Sequence, residues 1–118
     1  MIAHLVLFRP RADLSSEAAQ ALTASFEAAL TQIPSIRRAR VGRRVATGRG
    51  YEALMRVDYT YAAMIEFDDR AGLDAYLEHP SHQRLASQFF SAFEEALIYD
   101  FELHEGTAEL RALLGDAH

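Results

Sequence analysis

The chain contains no cysteine. That excludes a disulfide framework, a thiolate nucleophile and any cysteine-based zinc or iron–sulfur site. Lysine is missing too, since all 12 basic residues are arginine. Schiff-base chemistry, a pyridoxal-phosphate lysine and a phosphate-loop lysine are therefore excluded. Acidic residues outnumber basic ones and the net charge is -5, which argues against nucleic acid as a main partner. Long apolar runs are also absent. The start, Met1-Ile2-Ala3-His4-Leu5-Val6-Leu7-Phe8, is apolar but runs straight into Arg9-Pro10-Arg11 and has no basic lead. It is too short for a signal segment with its flanks and far too short to cross a bilayer. A cytoplasmic location and no membrane partner are expected. What is present, 118 residues with 50% hydrophobic and 25% charged, suits one folded domain with one core.

Ile2 to Phe8 is rich in β-branched and aromatic residues and ends at a proline, which predicts a strand. Both of its faces are apolar apart from His4, so both should be covered. Ser15 or Ser16 then caps a helix over 15–33, with Leu22, Phe26, Ala29, Leu30 and Ile33 on one stripe and Pro34 as its stop. Ile36 to Val45 predicts a second strand carrying Arg37, Arg38, Arg40, Arg43 and Arg44. A charge-protected sheet edge explains those arginines; an anion-binding patch is the alternative. Thr47 to Tyr51 is a loop whose Gly48-Arg49-Gly50 lacks the third glycine and the setting of a dinucleotide fingerprint.

Asp58 to Phe67 predicts a third strand, with Tyr59, Tyr61, Ala63, Ile65 and Phe67 on one face and Thr60, Ala62, Met64 and Glu66 on the other. Asp68 or Asp69 caps a short helix with Leu73, Tyr76 and Leu77 inward. Pro80 ends it and opens another helix, with His79 as cap and His82, Leu85, Phe89 and Phe93 on the inward stripe. Leu97 to Leu103 predicts a fourth strand. The domain is drawn at 1–104 and a C-terminal tail at 105–118. Leu110, Leu113 and Leu114 give that tail a stripe that can dock on either subunit and hold it in partial order.

The order of these elements is the split βαβ, ferredoxin-like arrangement: an α+β subunit, βαββαβ, with a four-stranded antiparallel sheet and helices on one face. Its other face is apolar as well and needs a cover. A second copy packed face to face supplies one, so a homodimer with two-fold symmetry is expected.

Four stretches resemble a known family. They are Met1 to Phe8, Gln32-Ile33-Pro34-Ser35-Ile36, Tyr76-Leu77-Glu78-His79-Pro80-Ser81-His82 and Tyr99-Asp100-Phe101. Together they are similar to the stress-responsive dimeric α/β-barrel (Dabb) family over roughly residues 1–103. The Tyr-x-x-His-Pro-x-His run is the most specific of them. The resemblance implies that two ferredoxin-like sheets close into a barrel across the dimer. One branch of the family contains polyketide cyclases of the olivetolic acid type, which close a linear polyketide by aldol chemistry. Residues matching that branch's catalytic pair are Tyr76 and His82, and His4 matches its first-strand pocket histidine. A further pocket histidine on strand three is replaced here by Tyr61.

Chemistry at those positions is plausible on its own terms. His82 sits in a helix's first turn on an inward stripe, where the helix dipole and burial both disfavour a second proton. A neutral imidazole is a general base near pH 7. The Tyr76 phenol can donate to an oxygen that gains enolate charge. With His82 and Tyr76 as the candidate catalytic residues, His4, Val6, Phe8, Leu22, Phe26, Tyr61, Ile65, Leu77, Leu85 and Phe93 are the candidate pocket lining. Equally, a lone histidine on an apolar strand is commonly a satisfied core residue, and a tyrosine on a helix stripe commonly only packs. No metal or cofactor is expected: Pro80 disturbs the His79–His82 spacing, and His104-Glu105 lacks the second histidine of a zinc-protease helix. No serine stands in a nucleophile-elbow setting. The expected function is a stress-responsive dimeric α/β-barrel protein whose pocket, between sheet and helices, takes a hydrophobic or aromatic small molecule. The alternatives are a cofactor-independent cyclase-like enzyme using His82 and Tyr76, and a small monooxygenase of the wider dimeric α/β-barrel group.

Overall fold

The computed structural model describes residues 1–116. Its elements are β1 (Ile2–Pro10), α1 (Ser16–Gln32), β2 (Arg38–Arg43), a 3-10 turn (Gly50–Leu54), β3 (Tyr61–Phe67), α2 (Arg70–Glu78), α3 (Pro80–Ala92), β4 (Phe93–Glu102) and α4 (Gly106–Asp116). The strands form one antiparallel sheet in the order β2-β3-β1-β4. This is the expected ferredoxin-like subunit; within one chain the sheet is open, not a closed barrel.

α1, α2 and α3 each begin where a side chain satisfies a backbone N–H that the helix leaves free. Ser15 Oγ accepts from the Ala18 amide at 3.0 Å, and Asp69 Oδ1 from the Gly72 amide at 2.9 Å. His79 Nδ1 accepts from the Ser81 amide at 3.1 Å, and Pro80 occupies the first helical position, where no N–H is needed. The helices cover the sheet face that carries His4, Val6, Ile65 and Phe67. Ala29 of α1 and its C-cap Ile33, Leu73 and Tyr76 of α2 and Leu85 of α3 close the core over it.

Because strand side chains alternate, the opposite face presents Leu5, Leu7, Met64, Leu97, Tyr99 and Phe101. Among the described residues no element covers that face: Tyr99 and Phe101 are about half exposed.

The structure departs from the expected boundaries in several places. Phe93, expected at the end of the α3 stripe, caps α3 and is the first residue of β4, which begins four residues before the expected Leu97. β3 starts at Tyr61 rather than Asp58, and β2 spans only Arg38–Arg43. The tail forms a helix, but its leucines do not dock on the chain. Leu110, Leu113 and Leu114 are 53%, 45% and 58% exposed. Ala117 and His118 of the expected tail lie outside the described residues. The β2–β3 connection also projects, with Val45, Tyr51, Leu54 and Met55 exposed. These projections raise the radius of gyration to 16.2 Å, against about 13–14 Å for a compact domain of this length.

Candidate functional site

Between the sheet and the helices lies a cavity of about 430 Å³. Its floor comes from the sheet, in a row that runs from Val41 on β2 through Ala63 and Val6 to Ile98 on β4. Leu22, Thr23 and Phe26 of α1 form one wall, and Leu85, Ala86, Phe89 and Phe90 of α3 another. The polar lining is confined to Thr23 and to a cluster of His4, Tyr76 and His82.

That cluster is assembled from three elements. Tyr76 stands on α2 and is only 2% exposed. Its ring centroid lies 4.5 Å from that of His82 on α3 and 5.6 Å from that of His4 on β1. Phe67 backs it at 5.2 Å. Burial pushes the phenol up to about 12, so the hydroxyl keeps its proton and is a donor at neutral pH. Among the described residues no other protein group hydrogen-bonds to it.

His82 is held in the first turn of α3. Its Nδ1 lies 3.2 Å from the Leu77 carbonyl oxygen. A carbonyl only accepts, so Nδ1 carries the proton and, in the neutral ring, Nε2 keeps its lone pair. Desolvation by burial pushes the His82 pKa below the ordinary value, with a smaller push from neighbouring His4; the Leu77 carbonyl opposes both. His4 is 5% exposed, and its Nδ1 lies 2.6 Å from Asp100 Oδ1. The carboxylate accepts from Nδ1–H and fixes that ring too, again leaving Nε2 without a protein partner among the described residues. The groups can thus supply the His82 Nε2 lone pair, a second imidazole in His4 and one hydroxyl donor at the end of an apolar chamber.

The expected lining residues His4, Val6, Phe8, Leu22, Phe26, Ile65, Leu77, Leu85 and Phe93 all border this cavity, as do Tyr76 and His82. Tyr61 does not. Its ring stacks on Phe8 at 5.8 Å and is 40% exposed, beyond the far end of the chamber. The strand-three position nearest the cluster is instead Ile65, which pairs directly with His4. Sequence reasoning did not nominate Val41, Ile98, Phe89 or Asp100. Phe89 was readable from its helix stripe. The others depend on strand register, since Asp100 meets His4 across 96 residues of chain. Among the described residues no group of three or more His, Asp or Glu side chains is placed to hold a metal ion, and no helix is long and apolar enough to cross a membrane.

A four-stranded antiparallel sheet with helices on one face defines a ferredoxin-like α+β subunit. The profile of the Dabb family, Stress responsive A/B Barrel Domain, matches residues 2–103, and the chain belongs to that family. No curated protein matches the chain by sequence. Solved structures share the fold. The hydroxynitrile lyase of Passiflora edulis superposes with a TM-score of 0.73 at 20% identity, over 89% of this chain and 94% of that one. A dimeric ferredoxin-like protein of unknown function from Jannaschia sp. CCS1 gives 0.70 at 24% identity, over 86% and 98%. SnoaB of Streptomyces nogalater, a cofactor-independent oxygenase, gives 0.64 at 14% identity, over 89% and 94%.

Proposed function

We propose that the cavity binds an apolar small molecule bearing a carbonyl group, and that the chain moves a proton on the carbon beside that carbonyl. The cavity volume falls within the range of roughly 300–1,000 Å³ in which small-molecule sites usually lie. Its lining dictates a largely hydrocarbon or aromatic ligand with its polar end at the histidines. One observation carries the chemical part: a tyrosine held in its protonated form and a histidine with a free Nε2 stand with ring centroids 4.5 Å apart. His82 Nε2 takes the proton from carbon. The Tyr76 hydroxyl donates to the carbonyl oxygen as charge builds there, in a site where little water competes. The protonated His82 Nε2–H then returns that proton, and His4, fixed by Asp100, places a second imidazole beside the reacting carbon. This is acid–base chemistry of the cyclase or lyase kind. The lyase and the cofactor-independent oxygenase among the structural neighbours support it as chemistry that this scaffold hosts. Two copies joined through the outer sheet face belong to the same reading, supported by the uncovered apolar face and by neighbours described as dimeric.

The test is exchange of the acidic C–H protons of a phenyl-terminated β-tricarbonyl in deuterated buffer, followed by NMR. His82→Ala and Tyr76→Phe should each slow exchange by about a hundredfold, with the ligand still bound. Unchanged exchange in both variants would remove the acid–base role and leave a binding pocket.

A further inference from the structure

The free edges of the sheet differ in charge. β2 carries Arg38, Arg40 and Arg43, flanked by Arg37 and Arg44; β4 carries Glu94, Glu95, Asp100 and Glu102. Two copies packed on their outer faces can bring these edges together in two ways. With the two-fold perpendicular to the strands, β2 meets β2 and β4 meets β4, arginine against arginine and carboxylate against carboxylate. When the axis runs along the strands, β4 of one copy meets β2 of the other. Charge complementarity selects the second arrangement, which also keeps each row of the sheet level. Phe101 and Arg38 share one row through Ala3 and Glu66, Tyr99 and Arg40 another through Leu5 and Met64, and Ile98 and Val41 a third through Val6 and Ala63. Tyr99 and Phe101, both exposed aromatics, then stand level with the partner's Arg40 and Arg38. Arg38 has no ion-pair partner among the described residues.

α4 leaves the fold at this same corner, four residues after the end of β4. Its leucines stand three and four residues apart on one exposed face, and it lies outside the residues that the family profile matches. We propose that α4 of one copy packs along the β2 edge of its partner and covers the partner's Val41, so that each cavity is walled in part by the other chain.

Reach supports the pairing. From its first residue to Leu113–Leu114, α4 advances about 11 Å at 1.5 Å per residue. Along β2 the step from Arg38 to Val41 is about 10 Å at 3.4 Å per residue. With α4 turned back along the partner's β2, the leucine pair comes level with Val41, which is 67% exposed although it borders the cavity. Glu105 and Glu109 arrive beside the partner's Arg37 and Arg38. The inference rests on the face-to-face dimer proposed above and adds a trans wall to it.

Because the chain has no cysteine, introduced thiols report cleanly. A Leu113→Cys chain and a Val41→Cys chain, carrying different affinity tags, are co-expressed, purified through both tags and oxidised. A disulfide joining one chain of each kind is expected, since it forms only when the Cα atoms come within about 7 Å. Light scattering is run on the same sample. A dimer without the mixed disulfide overturns the α4 contact and leaves the dimer standing. A monomer, or failure to recover both tags together, overturns both. So does a Leu113→Cys, Val41→Cys double variant that closes its disulfide within one chain and stays monomeric. Compared with the wild-type dimer, Leu113→Asp should weaken binding of anilinonaphthalene sulfonate severalfold without dissociating the dimer. Unchanged dye affinity would show that α4 contributes nothing to the cavity.

Discussion

His82 is where burial and proton chemistry compete most directly. In the folded chain desolvation keeps a second proton off its ring, while the unfolded chain takes one up near the ordinary value of 6.5. Between those two values the unfolded state binds the extra proton, so stability rises with pH. The stability linked to this group is fully present above pH 6.5 and is lost as pH falls toward the lower folded value. Thermal melts at pH 7.5 and 5.5 should show the wild type losing stability on acidification, and His82→Gln losing less. An identical loss in both would mean that His82 titrates as freely folded as unfolded. Asp100 offers a second check. Asp100→Ala leaves the buried Nδ1–H of His4 without its acceptor, which costs about 1–3 kcal/mol in a denaturant titration. His4 was visible in the sequence as a polar residue on an apolar strand, but its partner was not. Nothing within several residues of position 4 announces a carboxylate, and the pair exists only because β1 and β4 align His4 with Asp100.

At the scale of elements, the legible parts were those with both a period and a punctuation mark. α1 has Ser15 before it and Pro34 after it, and its observed span, Ser16–Gln32, follows from them. α2 and α3 are separated by Pro80, with His79 serving as the C-cap of the first and the N-cap of the second. The junction of α3 and β4 has neither glycine nor proline. Phe89 and Phe93 are four apart, so helical periodicity ran on past Ala92, and only hydrogen bonding reveals that Phe93 has extended backbone. The uncovered stripe of α4 was also beyond reach, since sequence spacing shows that leucines share a face but not what lies opposite. Caps can be tested one at a time. Ser15→Ala removes the acceptor for the Ala18 amide and should cost about 1 kcal/mol, read as a lower urea midpoint with unchanged slope. A loss near zero would mean that water replaces the hydroxyl fully at this exposed end.

For the whole molecule, the decisive feature is that both sheet faces are apolar while helices cover only one. Leu5 and Met64 face each other across β1 and β3 at the centre of the bare side, next to Tyr99. In an isolated subunit they would stand in an apolar patch open to water, a state that soluble chains avoid on this scale. In the proposed dimer, pairing two such faces removes the patch. An aspartate introduced there tests this directly. In a dimer, Leu5→Asp buries a charge with no partner, and two-fold symmetry applies the change twice. At roughly 3 kcal/mol for each copy, the dissociation constant should rise on the order of ten-thousandfold. Light scattering of Leu5→Asp or Met64→Asp at micromolar concentration should then report subunits near 13.2 kDa, with circular dichroism distinguishing a folded monomer from an unfolded chain. In a molecule that works as a monomer, the same substitutions put a charge on a face already in water, and neither mass nor melting temperature should move. Wild-type protein scattering as a monomer, or an aspartate variant that stays dimeric and equally stable, would mean that the bare face is covered in some other way.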